Sequence, residues 1–180
     1  MLPPLALRSP SLILQRAALF SAILLGSFFI ATRAQAAAIV WDGSASTDWA
    51  TGTNWVGDAA PGAGDVATFN AATSEGATND PVIGASISVQ GINMATGYTQ
   101  TITQGSGFDV TLGSGGFTQS AASTWAGNAG ATTDFTTTSF TITAGTFTAP
   151  GGNLDISGAV AVTAGAGVTF THNSGTVRLV

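Results

Sequence analysis

The segment SFTITAGTFTAPGGNLDISGAVAVTAGAGVTFTHNSGTVRLV, Ser139 to Val180, is a run of very short strands. Each holds two apolar residues separated by one other residue, and each stops at Gly, Asn or Ser. Side chains on a strand alternate between its two faces. Phe140 and Ile142, Leu154 and Ile156, Val160 and Val162, Val168 and Phe170, Val177 and Leu179 therefore point one way within each pair, with Thr, Asp, Ala or Arg between them pointing the other; Phe147 stands alone in a shorter strand. One such strand buries too little to be stable. Stacked copies make a continuous apolar column, which is why such units occur in arrays. Equivalent positions run from Phe117 to Phe140, Phe140 to Val162, Phe147 to Phe170 and Leu154 to Val177. The step is roughly 20 to 23 residues, which suits a coil of three short strands and three turns. Gly145, Gly151, Gly152, Gly158, Gly165, Gly167 and Gly175 mark the corners.

This pattern predicts an all-β chain, a right-handed parallel β-helix (solenoid). A β-sandwich or barrel also gives evenly spaced strands, but usually longer ones with fewer glycines. The regular Phe, Ile, Val and Leu positions argue against disorder, despite the Thr, Ser, Gly and Ala background. Further rungs are expected from Ser86 onward: Ile87 and Val89, Ile92 and Met94, Thr99 to Thr103 around Ile102, then Phe108, Val110 and Leu112, then Phe117. Ser120 to Ala131, with Trp125, reads as a protruding loop or a degenerate rung, and Phe135 restores the pattern. The last rung shows no cap, which points to a fragment or to an end that pairs with another chain.

Met1 to Ala36 reads as a helical signal peptide. Arg8 and Arg16 precede the apolar run Ala17 to Ile30, and Ala34-Gln35-Ala36 supplies small residues for cleavage, with Ala38 as a second choice. The run is shorter than the ~20 residues needed to cross a bilayer, so no stable membrane span is expected in the mature chain. The expected divisions are residues 1–36, the leader; 37–85, an N-terminal cap and first coil; and 86–180, the solenoid rungs. Three of the four arginines fall in the leader, and the chain has no lysine. The mature chain thus holds one arginine against nine acidic residues, a net charge of −8. Nucleic-acid binders need Lys and Arg to displace counterions, so nucleic acid is excluded as a partner. The chain has no cysteine, hence no disulfide framework and no thiolate metal site.

Ile39 to Asn70 differs from the rungs. It carries Trp41, Trp49 and Trp55, three of the four tryptophans, and Asp42, Asp48, Asp58 and Asp65. No rung pattern is legible in it before Val66 to Phe69. The end coil of a solenoid exposes its apolar edge, and aromatic rings, each burying ~150 to 250 Å², suit a cap over it. Pro61-Gly62 and Gly64-Asp65 read as a turn leading to Phe69, the first inward anchor. Ala71 to Ala85, with Glu75, Asn79 and Asp80, reads as a polar loop or irregular turn. The order W-D-G, D-W, then N-W-x-G-D-x-x-P-G-x-G-D-x-A-x-F resembles the N-terminal segment of exported bacterial β-strand-repeat proteins, which are autotransporter-associated or adhesin-like. Trp41, Asp42, Gly43, Trp49, Asn54, Trp55, Gly57, Pro61, Gly64, Asp65 and Phe69 carry the resemblance, and Gly145 to Phe147 and Phe170 to Val177 also look like that family's rungs. The resemblance implies a parallel β-helix on a secreted or cell-surface protein.

Candidate chemistry is sparse. His172 is the only histidine and follows Phe170-Thr171 at a turn, where capping or solvation is its simplest role. A triad would need a nucleophile and an orienting acid beside it. Asp109, Asp134, Asp155 and Arg178 read as lying at unrelated steps of the repeat, unlike the paired carboxylates of carbohydrate cleavage. The Asp42, Asp48, Asp58, Asp65 group has oxygen ligands for Ca²⁺ but neither the EF-hand nor the β-roll spacing, so turn chemistry explains it better. Exposed tryptophans could stack on sugars, although packing is the usual fate of Trp. Outward Thr and Ser ladders are most simply solubilising and hydrogen-bonded across rungs. No catalytic, cofactor-binding or metal-ligating residue is assigned, and no cofactor. The expected function is a non-enzymatic structural or adhesive segment of a secreted or outer-surface bacterial protein, with surface glycans or self-association through the solenoid end as partners. The alternative is a carbohydrate-binding or carbohydrate-processing β-helix.

Overall fold

The computed structural model describes residues 36–74, 77, 79–163 and 167–180. The predicted signal peptide, apart from Ala36, lies outside the described residues, as do Glu75 and the predicted corner Gly165. Ala36 to Val180 forms one compact unit. It is a parallel β-solenoid of about five turns, and among the described residues its one helical element is a short 3-10 turn, Gly52–Asn54. Among the described residues no helix is long and apolar enough to cross a membrane.

The strands fall on three faces because β4 (Ile87–Met94) and β6 (Val110–Gln119) each run across a corner. Their first halves stack with β8 (Phe135–Thr137), β11 (Asn153–Ile156) and β14 (Thr176–Leu179). Their second halves stack with β1 (Ala38–Val40) and β2 (Val66–Phe69) on one side and β9 (Phe140–Ile142) and β12 (Val160–Val162) on the other. The third face is β3 (Val82–Ile83), β5 (Thr101–Gln104), β7 (Thr124–Ala126), β10 (Gly145–Thr148) and β13 (Val168–Thr171). Every pairing of named strands is parallel.

The predicted inward columns form. Phe117 stacks under Phe140, Phe147 under Phe170 and Leu154 under Val177. One equivalence shifts: Phe140 pairs with Val160, and Val162 lies over Ile142. The corner between Thr148 and Leu154 is three residues shorter than its counterpart between Ala126 and Phe135, so β12 arrives earlier than an even period suggests. Trp125 belongs to a rung, not to a protruding loop. It is fully buried in β7 between Ile102 and Phe147. Trp125, Phe147 and Phe170 form a ladder of near-parallel rings, 6.1 and 5.8 Å apart. Such pairs add about 0.5–1.5 kcal/mol each beyond the area they bury. Gly145 opens β10 at φ +80°, where a Cβ would collide with the carbonyl oxygens of Ser123 and Ala121. A rung corner this close to the coil below admits only glycine.

Two strands are not legible in the sequence. β1 pairs with β2 inside the segment read as patternless, and β3 lies inside the predicted polar loop. β1 is short and only half-buried, and β3 holds two residues, so neither carries enough periodicity to register.

Candidate functional site

The proximal aromatic cluster comes first. Phe69, at the end of β2, is fully buried and touches Trp41, Trp49, Trp55 and Tyr98 with ring centroids 6.4, 5.9, 5.8 and 5.4 Å away. Trp55 meets Trp41 and Trp49 edge-on at 5.0 and 4.8 Å. The indole N–H of Trp55 donates to the Trp49 carbonyl at 2.8 Å, and that of Trp41 to Asn79 O at 3.1 Å. Asn54 explains the Asn of the N-W motif. It is fully buried; its Oδ1 accepts the N–H groups of Ala45 and Ser46, and its Nδ2 donates to Asp48 O and Ser46 Oγ. Gly43, the Gly of W-D-G, sits at φ +55° with its would-be Cβ 2.7 Å from Asn79 O. The motif residues are thus the internal bracing of the cap.

The acidic residues of this segment do turn work. Asp42 accepts the Ser44 N–H, Asp48 accepts the Ala50 N–H and the Thr51 hydroxyl, and Asp65 accepts the Gly62 N–H. Asp58 occupies a left-handed position at φ +57°. Among the described residues no three His, Asp or Glu side chains converge as a metal site. All four tryptophans are buried, so none offers a face to a sugar. Packing, the usual fate of Trp, is thus what all four rings do: they fill the interior, where they remove the most apolar area from water.

His172 is exposed and closes its own turn. The Ser174 N–H donates to Nδ1 at 3.2 Å, and Nε2 bonds the Gly175 carbonyl, which places the proton on Nε2. Both ring nitrogens are thereby committed to the turn. The distal charged residues do share steps of the repeat, contrary to the sequence expectation. Ser86 Oγ accepts the Asp109 N–H, Asp109 Oδ1 accepts the Asp134 N–H, and Asp134 Oδ1 accepts the Asn153 N–H, at 2.9, 3.0 and 2.6 Å. One side chain per coil therefore reaches up to the next coil at the same corner. Asp155 and Arg178 are register partners on β11 and β14, joined by two bonds of 2.6 Å. The Arg178 guanidinium holds the Asp155 carboxyl below the usual carboxylate range, against a smaller upward pull from burial. Uneven corner lengths hid the Asp109–Asp134–Asn153 ladder in the sequence, whereas Asp155 and Arg178 each follow the Leu154–Val177 equivalence by one residue.

Sequence reasoning also passed over two glutamines. Gln104 and Gln119 occupy inward phases and are fully buried. Gln104 Nε2 donates to Phe108 O and Asp134 O, each at 2.9 Å, and Gln119 Nε2 to Ser123 O at 2.9 Å and Thr146 O at 3.3 Å. They tie a corner to the coil above. Their signal was a polar residue at the inward position of a strand's last turn, in Ile-Thr-Gln and Phe-Thr-Gln. On the third face, Thr101, Thr124, Thr146 and Thr169 form one outward column, and Thr103, Ala126, Thr148 and Thr171 a second. Thr68, Asn93, Thr118, Thr141 and Ala161 form a single column on another face. Compared with known protein families, with curated proteins and with solved structures, the chain matches none of them.

Proposed function

We propose that this chain is a non-enzymatic structural or adhesive β-helix segment of an exported bacterial protein, released or displayed at the cell surface after its leader is removed. The observation that carries this reading is where the reactive side chains go. Asp42, Asp48, Asp65, Asp109, Asp134 and His172 are engaged in turns and corners, and Asp155 in an ion pair, leaving broad polar strand faces as the outward surface. A stiff parallel rod with such faces acts by extension and display. The likeness of its cap and rungs to autotransporter-associated and adhesin-like β-strand-repeat proteins supports the same reading. Self-association through the distal coil belongs to it as well, because Val160, Val162, Phe170, Val177 and Leu179 are 40–75% exposed there.

The test is expression of the full chain with a tag after Val180 in a bacterial host. Loss of the leader by mass, and tag accessibility to protease on intact cells or recovery from the medium, are expected. Retention in the cytoplasm with residues 1–36 intact would overturn it. A glycan array probed with the exported protein separates adhesion from the carbohydrate-processing alternative: release of cleaved sugar from any array glycan favours the latter. Trp125→Ala is no diagnostic here, since it removes a core ring.

A further inference from the structure

We infer that the β5–β7–β10–β13 part of the third face is an ice-binding surface. Its two outward columns place seven threonines at eight consecutive positions over four coils, with Ala126 the one exception. The pairing runs through these four strands without a register shift, whereas the β4–β6 pair breaks register between Val89 and Gly91. Parallel strands repeat about every 4.7–4.9 Å and alternate residues along a strand about every 6.6 Å. The hydroxyls therefore lie on a near-rectangular net whose inter-strand repeat is close to an oxygen repeat of hexagonal ice.

Three further observations favour an ordered neutral lattice as the occupant. None of the seven threonine hydroxyls makes a hydrogen bond within the described protein, although Thr51, Thr137 and Thr138 elsewhere all do. The seven are thus free to donate and accept outward. The face itself carries no charged side chain, in a mature chain of net charge −8. At the proximal edge the Asp80 carboxylate accepts the Thr101 N–H at 3.4 Å. An uncharged lattice of donors and acceptors complements that surface; an ionic partner does not. Finally, the inward residues beneath, Ile102, Trp125 and Phe147, are fully buried and hold the strands rigid. Threonine is β-branched and stiff at χ1, so little freedom is lost when many weak bonds form at once. A crystalline polysaccharide is the competing flat ligand, but its recognition by ring stacking has no exposed Trp to use.

The experiment measures thermal hysteresis and inhibition of ice recrystallisation by the exported protein. Wild type is expected to shape ice crystals and to suppress their coarsening. Thr124→Lys with Thr146→Lys is expected to abolish both, and Thr124→Val with Thr146→Val, which keeps the side-chain shape, to weaken them. Thr118→Lys with Thr141→Lys, on another face, should change neither. Ala126→Thr fills the gap and should lower the concentration that suffices. Circular dichroism and the melting temperature of each variant report its fold. A folded wild type without activity on ice would overturn the inference, as would equal loss from the Thr118/Thr141 pair. Face-dependent sedimentation with crystalline cellulose or chitin in place of ice would also overturn it. The display reading survives each of these failures, because it does not depend on what the third face holds.

Discussion

The two ends of the rod are built from the same rung chemistry and differ in what covers them. At the proximal end Phe69 is 0% exposed beneath Trp41, Trp49 and Trp55. At the distal end Phe170 stacks on Phe147 yet is 40% exposed, and Leu179 is 75% exposed. Neither end differs in strand pattern. The difference is a segment of aperiodic sequence, Trp41 to Asp65, folded over the first coil and fastened by Asn54 and two indole N–H bonds. Periodic sequence builds columns and extends them indefinitely; closing a column needs residues that break the period.

The sharpest way to break this contrast is to remove one ring from each end. Phe69→Ala leaves a cavity among four aromatic neighbours and is expected to cost about 3–5 kcal/mol, the range for a buried Phe. Phe170→Ala removes a ring already partly in water and should cost only about 1–2 kcal/mol. Urea denaturation of the two variants gives the comparison directly. Equal losses would mean that the tryptophan segment does not seal the proximal coil.

What could be read from the sequence follows the same division. Phe117, Phe140, Phe147, Leu154 and their partners were legible because inward positions repeat at nearly constant spacing and alternate with Thr. The Phe140–Val160 match was missed by two residues because corners change length while strands do not. That same slack concealed the Ser86–Asp109–Asp134–Asn153 ladder, whose members are a coil apart in space but unevenly spaced in sequence. Trp125 resisted assignment because a single large ring replaces the usual pair of smaller apolar residues in β7. The cap was recognisable as a composition of Trp, Asp and Gly, but its wiring was not: Asn54 satisfies backbone groups of Ala45, Ser46 and Asp48, and no period announces such contacts.

A smaller effect tests whether polar bracing matters more at the sealed end. Asn54→Ala removes a fully buried amide with four hydrogen bonds, among them those from the part-buried N–H groups of Ala45 and Ser46, and is expected to cost about 2–3 kcal/mol. The distal counterpart, Asn153→Ala, removes only the 3.2 Å side-chain contact to Asp134, since the backbone N–H of residue 153 still bonds that carboxylate. Its expected cost is under about 1 kcal/mol. Thermal melts of the pair should rank them in that order, and the reverse order would place the critical polar network at the open end.

The smallest effect belongs to the Asp155–Arg178 pair, which sits on the distal coils with the arginine half-exposed. Arg178 lowers the folded-state pKa of Asp155 below its ordinary value, chiefly through the two hydrogen bonds. The unfolded chain therefore takes up the proton first as the pH falls. The contribution of the pair is whole above the unfolded carboxylate value of about 4, and is lost as the pH drops through the lower folded value. Urea midpoints of wild type and Arg178→Ala should differ by a constant amount from about pH 7 to about pH 5 and converge below about pH 4. Because the pair is at the surface, about 1 M salt should narrow the gap at neutral pH as well. The Phe69→Ala deficit has no titrating group behind it and should not close in the same window; if it does, acid is loosening the cap itself, and the two ends are coupled instead of independent.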